Sequence, residues 1–167
     1  MKILVVSDTH GKNQSLWDVI EEENPDRIFH LGDGQSLEEE IWMYTEAECD
    51  IVCGNCDWGN DLPSELTIPI GKHKILLTHG HYYGVNFGYE EIAQAAHELG
   101  CDIALYGHTH MPTIDYYEDL IIANPGSLSY PRQSSREHTY MIMDVDSDGN
   151  IKMSLRSLEE KARDYGN

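Results

Sequence analysis

The chain has 167 residues, of which 30 are acidic and 11 are basic, so its formal net charge is −19. Affinity for nucleic acid depends on neutralising phosphates with Lys and Arg, so an acidic chain without a basic stripe is not expected to bind a nucleic-acid duplex. No apolar stretch is long enough to span a bilayer, and we predict one domain over residues 1–167 without membrane association.

Four cysteines give an indication of the compartment: Cys49, Cys53, Cys56 and Cys101. The C-x-x-C formed by Cys53 and Cys56 could be a redox pair or half of a zinc site. Because the sequence has no second C-x-x-C, we expect free, mostly buried thiols instead. The apolar run at residues 3–6 is too short for a signal peptide, so the expected location is the cytoplasm.

Short apolar runs and helical patterns alternate over the first two thirds of the chain. Continuous runs of this kind are typical of strands buried on both faces. Strands are predicted at residues 3–6, 28–29, 51–52, 75–77 and 103–105. Helices are predicted around Leu16 to Ile20, Leu37 to Tyr44 and Ile92 to Leu99. We expect the first to end at Asn24, the second to begin with a capping box of Ser36 and Glu39, and the third to end at Gly100.

The final third has the pattern of an antiparallel sheet. Residues 113–117 and 120–123 are predicted to form a hairpin, and residues 139–145 and 151–155 to form two further strands. A capping box of Ser157 and Glu160 predicts a short last helix. The predicted fold is therefore α/β (α+β), with two packed mixed β-sheets that form a β-sandwich flanked by helices.

Each of the five buried strands is followed by side chains that can bind a metal. They are Asp8, His10, Asp33, Asn55, His79, His108 and His110. If the five strands are neighbours, their carboxyl ends bring these side chains to one edge. Carboxylate oxygens and imidazole nitrogens suit divalent transition metals, and seven ligands exceed what one ion needs, so we expect two ions.

Local patterns support this grouping. The spacing of Asp8 and His10, and that of His108 and His110, would place each pair on one face of an extended segment. Gly32 and Gly54 are expected to let the backbone turn tightly just after two of the strands.

The charge of such a centre predicts its ligand. Two divalent ions bring four positive charges, and Asp8 and Asp33 offset only two, so the site should attract a small anion such as phosphate. Two metals can clamp a phosphoryl group and ionise a bridging water for in-line attack, without a protein nucleophile.

The motif set Asp8-x-His10, Gly32-Asp33, Gly54-Asn55, His79 and Gly107-His108-x-His110 resembles that of the calcineurin-like metallophosphoesterases. The resemblance covers residues 1 to 132 and is nearest to small stand-alone bacterial and archaeal phosphodiesterases. It implies a metallophosphoesterase fold, with one metal on Asp8, His10, Asp33 and His110 and another on Asp33, Asn55, His79 and His108. It also implies manganese as the usual metal, with nickel, iron, zinc or magnesium as alternatives.

One position departs from the family pattern. Many members carry a histidine directly after the motif asparagine, and that histidine assists the leaving group, whereas this chain has Cys56 followed by Asp57. A thiol is a weak substitute for an imidazole. We expect either that the leaving groups are good ones or that a metal-bound water, Asp57 or His81 supplies the proton, where His81 either reaches the site or faces solvent. The candidate catalytic set is Asn55, Cys56, Asp57 and His81.

Three further residues are candidates for substrate contact. Asn124 and Ser127 lie in a turn after the last motif, and with Arg132 they would contact the substrate phosphate, or else form a structural turn with a surface arginine. The aromatic loop with Tyr82 and Phe87 would stack on the substrate or join two copies in a homo-oligomer.

The leading prediction is a phosphodiesterase for small phosphate esters. A phosphomonoesterase or nucleotide pyrophosphatase would need the same metal clamp, but a diester needs less neutralisation, and basic residues are few. The alternative from a different functional class is a catalytically weak protein-interaction scaffold, like the retromer subunit that has this fold.

Overall fold

Two five-stranded sheets form the protein in a computed structural model that describes residues 1–160. The strands are β1 (Lys2–Val6), β2 (Arg27–His30), β3 (Glu48–Ile51), β4 (Glu65–Ile70), β5 (His73–Thr78), β6 (Ile103–Leu105), β7 (Thr113–Tyr117), β8 (Leu120–Asn124), β9 (Thr139–Val145) and β10 (Ile151–Ser157). The helices are α1 (Gln14–Glu23), α2 (Leu37–Glu40) and α3 (Glu90–Glu98), with 3-10 turns at Ile41–Met43 and His81–Tyr83.

Both sheets are mixed, which confirms the predicted fold class. The first has the order β10-β9-β1-β2-β3, and β1, β2 and β3 are parallel. The second has the order β4-β5-β6-β8-β7, and β5, β6 and β8 are parallel. The predicted strands at residues 113–117 and 139–145 have the observed bounds.

The buried runs are apolar throughout because their two faces pack against different layers. In β1, Ile3 and Val5 belong to the cluster between the sheets, whereas Leu4 and Val6 pack with residues of α1. In β5, Leu76 likewise faces the cluster that contains α3. Strands covered on both sides have no solvent face on which polar residues could alternate.

The sequence suggested that the five predicted strands are neighbours in one sheet, but they are divided between the two sheets. The runs at residues 3–6, 28–29 and 51–52 belong to the first sheet, and those at 75–77 and 103–105 belong to the second. The site is therefore formed where the carboxyl ends of two packed sheets meet, and not along a single edge.

Strand β4 was not predicted from the sequence. Its apolar residues Leu66, Ile68 and Ile70 alternate with polar or constrained ones, and Pro69 argues against a central strand. The structure accommodates Pro69 because β4 is an edge strand that pairs only with β5.

Helices α1 and α3 form as predicted, and α1 ends at Asn24 in a left-handed conformation. The predicted second helix is only four residues long, and its capping box is wrong. Ser36 has φ 70° and makes no side-chain cap. The second box is confirmed at Ser157, whose Oγ accepts the Glu160 N–H at 3.0 Å. The rest of that last helix would lie outside the described residues.

The thiols are free, as expected, but only Cys101 is buried, and Cys49, Cys53 and Cys56 are half-buried. No helix within residues 1–160 has the length and apolar character needed to cross a membrane.

Candidate metal centre

All seven predicted ligands come together after the ends of β1, β2, β3, β5 and β6. Donor atoms of Asp8, His10 and His110 lie within 4.8 Å of one another, and so do those of Asp8, Asp33 and His79. Asn55 completes the group: its Oδ1 lies 3.0 Å from His79 Nε2 and 2.9 Å from His108 Nδ1.

Five of the ligands adopt left-handed backbone conformations, so the expected extended segments are wrong. Their φ angles are 56° at Asp8, 48° at His10, 57° at Asp33, 66° at His108 and 57° at His110. Each such residue costs about 1 kcal/mol or more relative to ordinary backbone. The tight turn brings Asp8 and His10 together, with His10 Nε2 3.8 Å from Asp8 Oδ1, whereas His108 and His110 reach different parts of the site, beside Asn55 and beside Asp8.

Two motif glycines are required because neighbouring atoms leave no room for a Cβ at their positions. A Cβ at Gly54 would lie 2.1 Å from Asp33 Oδ1, and a Cβ at Gly107 would lie 2.0 Å from Ser7 Oγ. Gly32 has φ 96°, in agreement with the predicted turn, whereas Gly54 has no positive φ. The chain nevertheless turns tightly after Gly54, whose carbonyl accepts the Asp57 N–H at 3.3 Å, so glycine is needed there for space and not for its backbone angle.

The histidines are oriented by backbone carbonyls. His79 Nδ1 donates to Leu31 O at 2.7 Å, and His110 Nδ1 donates to Tyr130 O at 2.6 Å. A carbonyl only accepts, so Nδ1 carries the proton and Nε2 of the neutral ring is a bare lone pair. This arrangement is common for metal-binding histidines.

These lone pairs face other acceptors. His110 Nε2 lies 3.1 Å from Asp8 Oδ1 and 3.3 Å from His10 Nε2, and His79 Nε2 lies 3.3 Å from Asp33 Oδ2. Such contacts are unfavourable unless a proton or a metal cation lies between the atoms. Burial lowers the pKa of His79, but the Asp33 and Asp8 carboxylates raise it above its usual value, so this position favours positive charge. The donor set therefore fits divalent transition metals.

The surroundings of Asp8 also fit a cation. Its side chain is fully buried, and Oδ1 accepts no hydrogen bond within the described part of the chain. Its other oxygen, Oδ2, accepts from Ser7 Oγ at 2.6 Å and from the His108 N–H at 3.0 Å. A buried carboxylate oxygen without a partner is costly, and a metal ion would satisfy it.

The ionisation states of the candidate ligands also suit metal binding. Burial raises the pKa of Asp8 and of Asp33, but the polar groups around each carboxyl, chiefly the neighbouring histidine rings, more than offset this and hold both carboxyl groups ionised. Burial lowers the pKa of His10 and of His108, which keeps these rings neutral. Ionised carboxylates and neutral imidazoles are the forms that bind metal.

The candidate proton donors lie beside this centre. The Cys56 N–H donates to Asp33 Oδ1 at 2.7 Å, and its thiol lies within 4.8 Å of donor atoms of His10 and Asp33. The His81 ring lies 5.3 Å from that of His79, and its Nδ1 is buried without a partner among the described residues. Asp57 accepts three backbone N–H bonds, from Asp33, Gln35 and Gly54.

The three candidate substrate-binding residues are placed differently from one another. Asn124 is buried and bonds Gly107 O, Thr109 Oγ1 and the Gly126 N–H. Ser127 is also buried, and its Oγ donates to Asp8 O at 2.9 Å. Arg132 is exposed in a cleft that reaches His10 and His110.

The sequence analysis did not identify a role for His30. The ring is fully buried behind the centre, accepts the Gly32 N–H at 3.3 Å and donates to Thr9 Oγ1 at 3.2 Å. It therefore links the turn after β1 to the turn after β2. Its only sequence signal is its place three residues before Asp33.

Residues 1–148 match the model of the calcineurin-like phosphoesterase superfamily domain. The chain is 32% identical to a probable metallophosphoesterase, YsnB of Bacillus subtilis, over 89% of this chain and 86% of that protein. It is 29% identical to the phosphodiesterase MJ0936 of Methanocaldococcus jannaschii, over 75% of this chain and 83% of the relative.

Solved structures share the fold. A predicted phosphoesterase from Streptococcus pneumoniae superimposes with a TM-score of 0.80 at 31% identity, over 93% of this chain and 88% of the other. A Vps29 protein from Entamoeba histolytica has a TM-score of 0.75 at 23% identity, over 95% and 99%, and this likeness concerns the fold alone.

Proposed function

The chain belongs to the calcineurin-like phosphoesterase superfamily and is a metal-dependent phosphoesterase, and we propose that it hydrolyses small phosphate diesters at a centre of two divalent cations. One cation would be held by Asp8, His10, Asp33 and His110, and the other by Asp33, Asn55, His79 and His108. The observation that carries this proposal is the set of buried lone pairs that face each other across the centre.

When bound, two divalent cations would polarise the phosphoryl oxygens and lower the pKa of a water molecule, with manganese as the expected metal. The chain's own residues would orient the ester and move protons. We assign proton donation to Cys56 and His81, which border the centre. Asp57, Asn124 and Ser127 are assigned positioning roles, because their polar atoms are engaged with the loops that carry the ligands.

Diesters are favoured over monoesters by the scarcity of cationic side chains. In the part of the chain that the structure describes, Arg132 and Arg136 are the cationic residues that line the cleft beside the centre. A monoester brings one more negative charge than a diester, and this charge would need neutralisation. We therefore expect turnover of a diester to exceed that of its monoester.

The test is hydrolysis of bis-p-nitrophenyl phosphate by metal-stripped protein, with manganese, nickel, magnesium and zinc added back singly. p-Nitrophenyl phosphate serves as the matched monoester. Metal-restored turnover that favours the diester supports the proposal, and faster monoester hydrolysis would replace it with a phosphomonoesterase. Absence of turnover in protein that has bound two ions would point to a scaffold role.

A further inference from the structure

A cleft of about 500 Å³ opens directly beside the metal centre. Its lining includes the two ligands His10 and His110 on one side and Arg132 and Arg136 on the other. A group bound between the arginines would therefore lie next to an ester held at the metal centre.

Within residues 1–160 the two arginines have no carboxylate partner, in contrast to Arg27 and Arg156. Arg27 pairs with Asp50 at 2.7 Å, and Arg156 pairs with Glu23 at 2.8 Å. Among residues 1–160, no carboxylate oxygen lies within 4.0 Å of Arg132 or Arg136. Arg136 Nη1 donates only to the backbone, at Pro131 O (3.0 Å). In a chain with 30 acidic residues, two neighbouring cations without partners indicate a place for an external anion.

The backbone holds this cleft in a fixed relation to the metal ligands. The Arg132 N–H donates to His110 O at 3.2 Å, and His110 Nδ1 donates to Tyr130 O at 2.6 Å. The segment that carries Arg132 is thus tied twice to one ligand. The position of the Arg132 backbone relative to the centre is therefore set by the fold.

We propose that Arg132 and Arg136 bind a second anionic group of the substrate, a phosphate or a carboxylate on one arm of the scissile diester. This inference rests on the proposed function. The planar guanidinium fork makes paired hydrogen bonds to either anion, and two forks suit a phosphate better than a carboxylate. The substrate class is thus a diester with a terminal anionic group, and a diester with two neutral arms would be bound less well.

The test uses three p-nitrophenyl propyl phosphates whose propyl arm ends in a methoxy group, a carboxylate or a phosphate. All three release p-nitrophenol from the same bond, so differences in kcat/KM report the arm alone. We expect kcat/KM at least about tenfold higher for the phosphate arm than for the methoxy arm, mainly through KM, with the carboxylate between them. Equal values for the three esters would overturn the proposal.

Variants assign the preference to the cleft. In Arg132→Gln and Arg136→Gln, the ratio between the phosphate-arm and methoxy-arm esters should fall by about tenfold. Lys152→Gln removes the same charge from an exposed position beside the start of β1 and should keep the wild-type ratio. An unchanged ratio in both arginine variants would contradict the assignment.

A binding measurement separates this proposal from the proposed function. Calorimetry on the metal-loaded protein should show tighter binding of propane bisphosphonate than of propylphosphonate, and the difference should vanish in the double arginine variant. If no ester is hydrolysed, the diesterase proposal fails, and the calorimetric difference still decides whether the cleft holds a second anion.

Discussion

Cys56 lies beside the centre because its backbone N–H donates to a ligand, Asp33. Burial and the charge of Asp33 raise the pKa of the thiol, which makes it a weak acid at neutral pH. An imidazole in the same place would donate a proton more readily, and general acids contribute about 10²-fold or more.

We therefore predict that Cys56→His raises turnover of diesters with alkoxide leaving groups by about tenfold, and changes p-nitrophenyl esters less. The ratio of kcat values for the two leaving groups measures this effect. Cys53→Ser, in the same loop, should leave the ratio unchanged because the Cys53 thiol bonds backbone carbonyls of its own loop. A large loss of activity in Cys56→His would show that the thiol itself has a specific role.

His30 is a second residue whose environment has a measurable consequence, namely the pH dependence of the free energy of unfolding. Burial lowers the pKa of this histidine from 6.5 to about 4, so the folded protein holds it neutral. Between pH 6.5 and about 4 the unfolded chain binds more protons at this histidine than the folded protein does. The free energy of unfolding therefore falls as the pH falls through this window. The contribution is at most about 3 kcal/mol.

We predict that His30→Gln flattens the decrease of stability between pH 6.5 and 4. Urea unfolding at several pH values in this range measures the slope for wild type and variant. The variant should lose some stability at neutral pH, since its side chain fits the contacts with Thr9 and Gly32 less well. Parallel slopes for the two proteins would argue against a neutral buried His30.

At the scale of elements, the loops after the strands carry the ligands, and one steric contact ties two of these loops together. Gly54 lies against the side chain and backbone of Asp33, with no room for a Cβ. We predict that Gly54→Ala lowers metal affinity by about 10- to 100-fold by displacing Asp33.

Gly59→Ala is the matched control for this change. Gly59 has φ +76° and open space around its Cα, so alanine there costs about 1 kcal/mol of stability without touching the centre. Metal titration should separate the two variants. Equal metal affinities in Gly54→Ala and wild type would mean that the contact with Asp33 relaxes freely.

Elements with continuous apolar runs were predictable because burial on both faces leaves a clear signal. Strand β9 was found in this way, and helix α3 was found from the helical spacing of its single apolar face. Strand β4 was not, because its half-exposed pattern and Pro69 resemble a loop. Helix α2 was overestimated, since Ser36 takes a left-handed conformation that the capping pattern does not reveal.

The grouping of the candidate ligands was predictable, but their backbone geometry was not. Each ligand follows a strand, and this placement is visible in the sequence. The left-handed turns at Asp8 and His10 depend on backbone bonds to Gly32 and Asp33, which come from a different part of the chain. The role of His30 likewise depends on Thr9, which is distant in sequence.

At the scale of the whole molecule, the centre joins two sheets. Asp8 and Asp33 follow strands of the first sheet, and His79 and His108 follow strands of the second. Ions shared between them would link the layers, and binding to the folded state alone raises its stability. The expected contact surface for self-association, with Tyr82 and Phe87, is exposed, and oligomerisation stays a prediction.

We predict that manganese at 100 times its dissociation constant stabilises the protein by about 2.7 kcal/mol for each ion bound, seen as a higher Tm. Potassium chloride at equal ionic strength is the control, because salt alone screens the repulsion within a chain of charge −19. A Tm that responds equally to both salts would mean that no specific site contributes.

The number of ions bound by the chain tests the central claim most directly. Equilibrium dialysis with manganese should give two ions per chain for the wild type. Asp33→Ala should retain fewer than one at the same concentration, because Asp33 is the proposed bridge, and the exposed Asp148→Ala should retain two. One ion or none in the wild type, or two ions in Asp33→Ala, would contradict a dinuclear centre built on these residues.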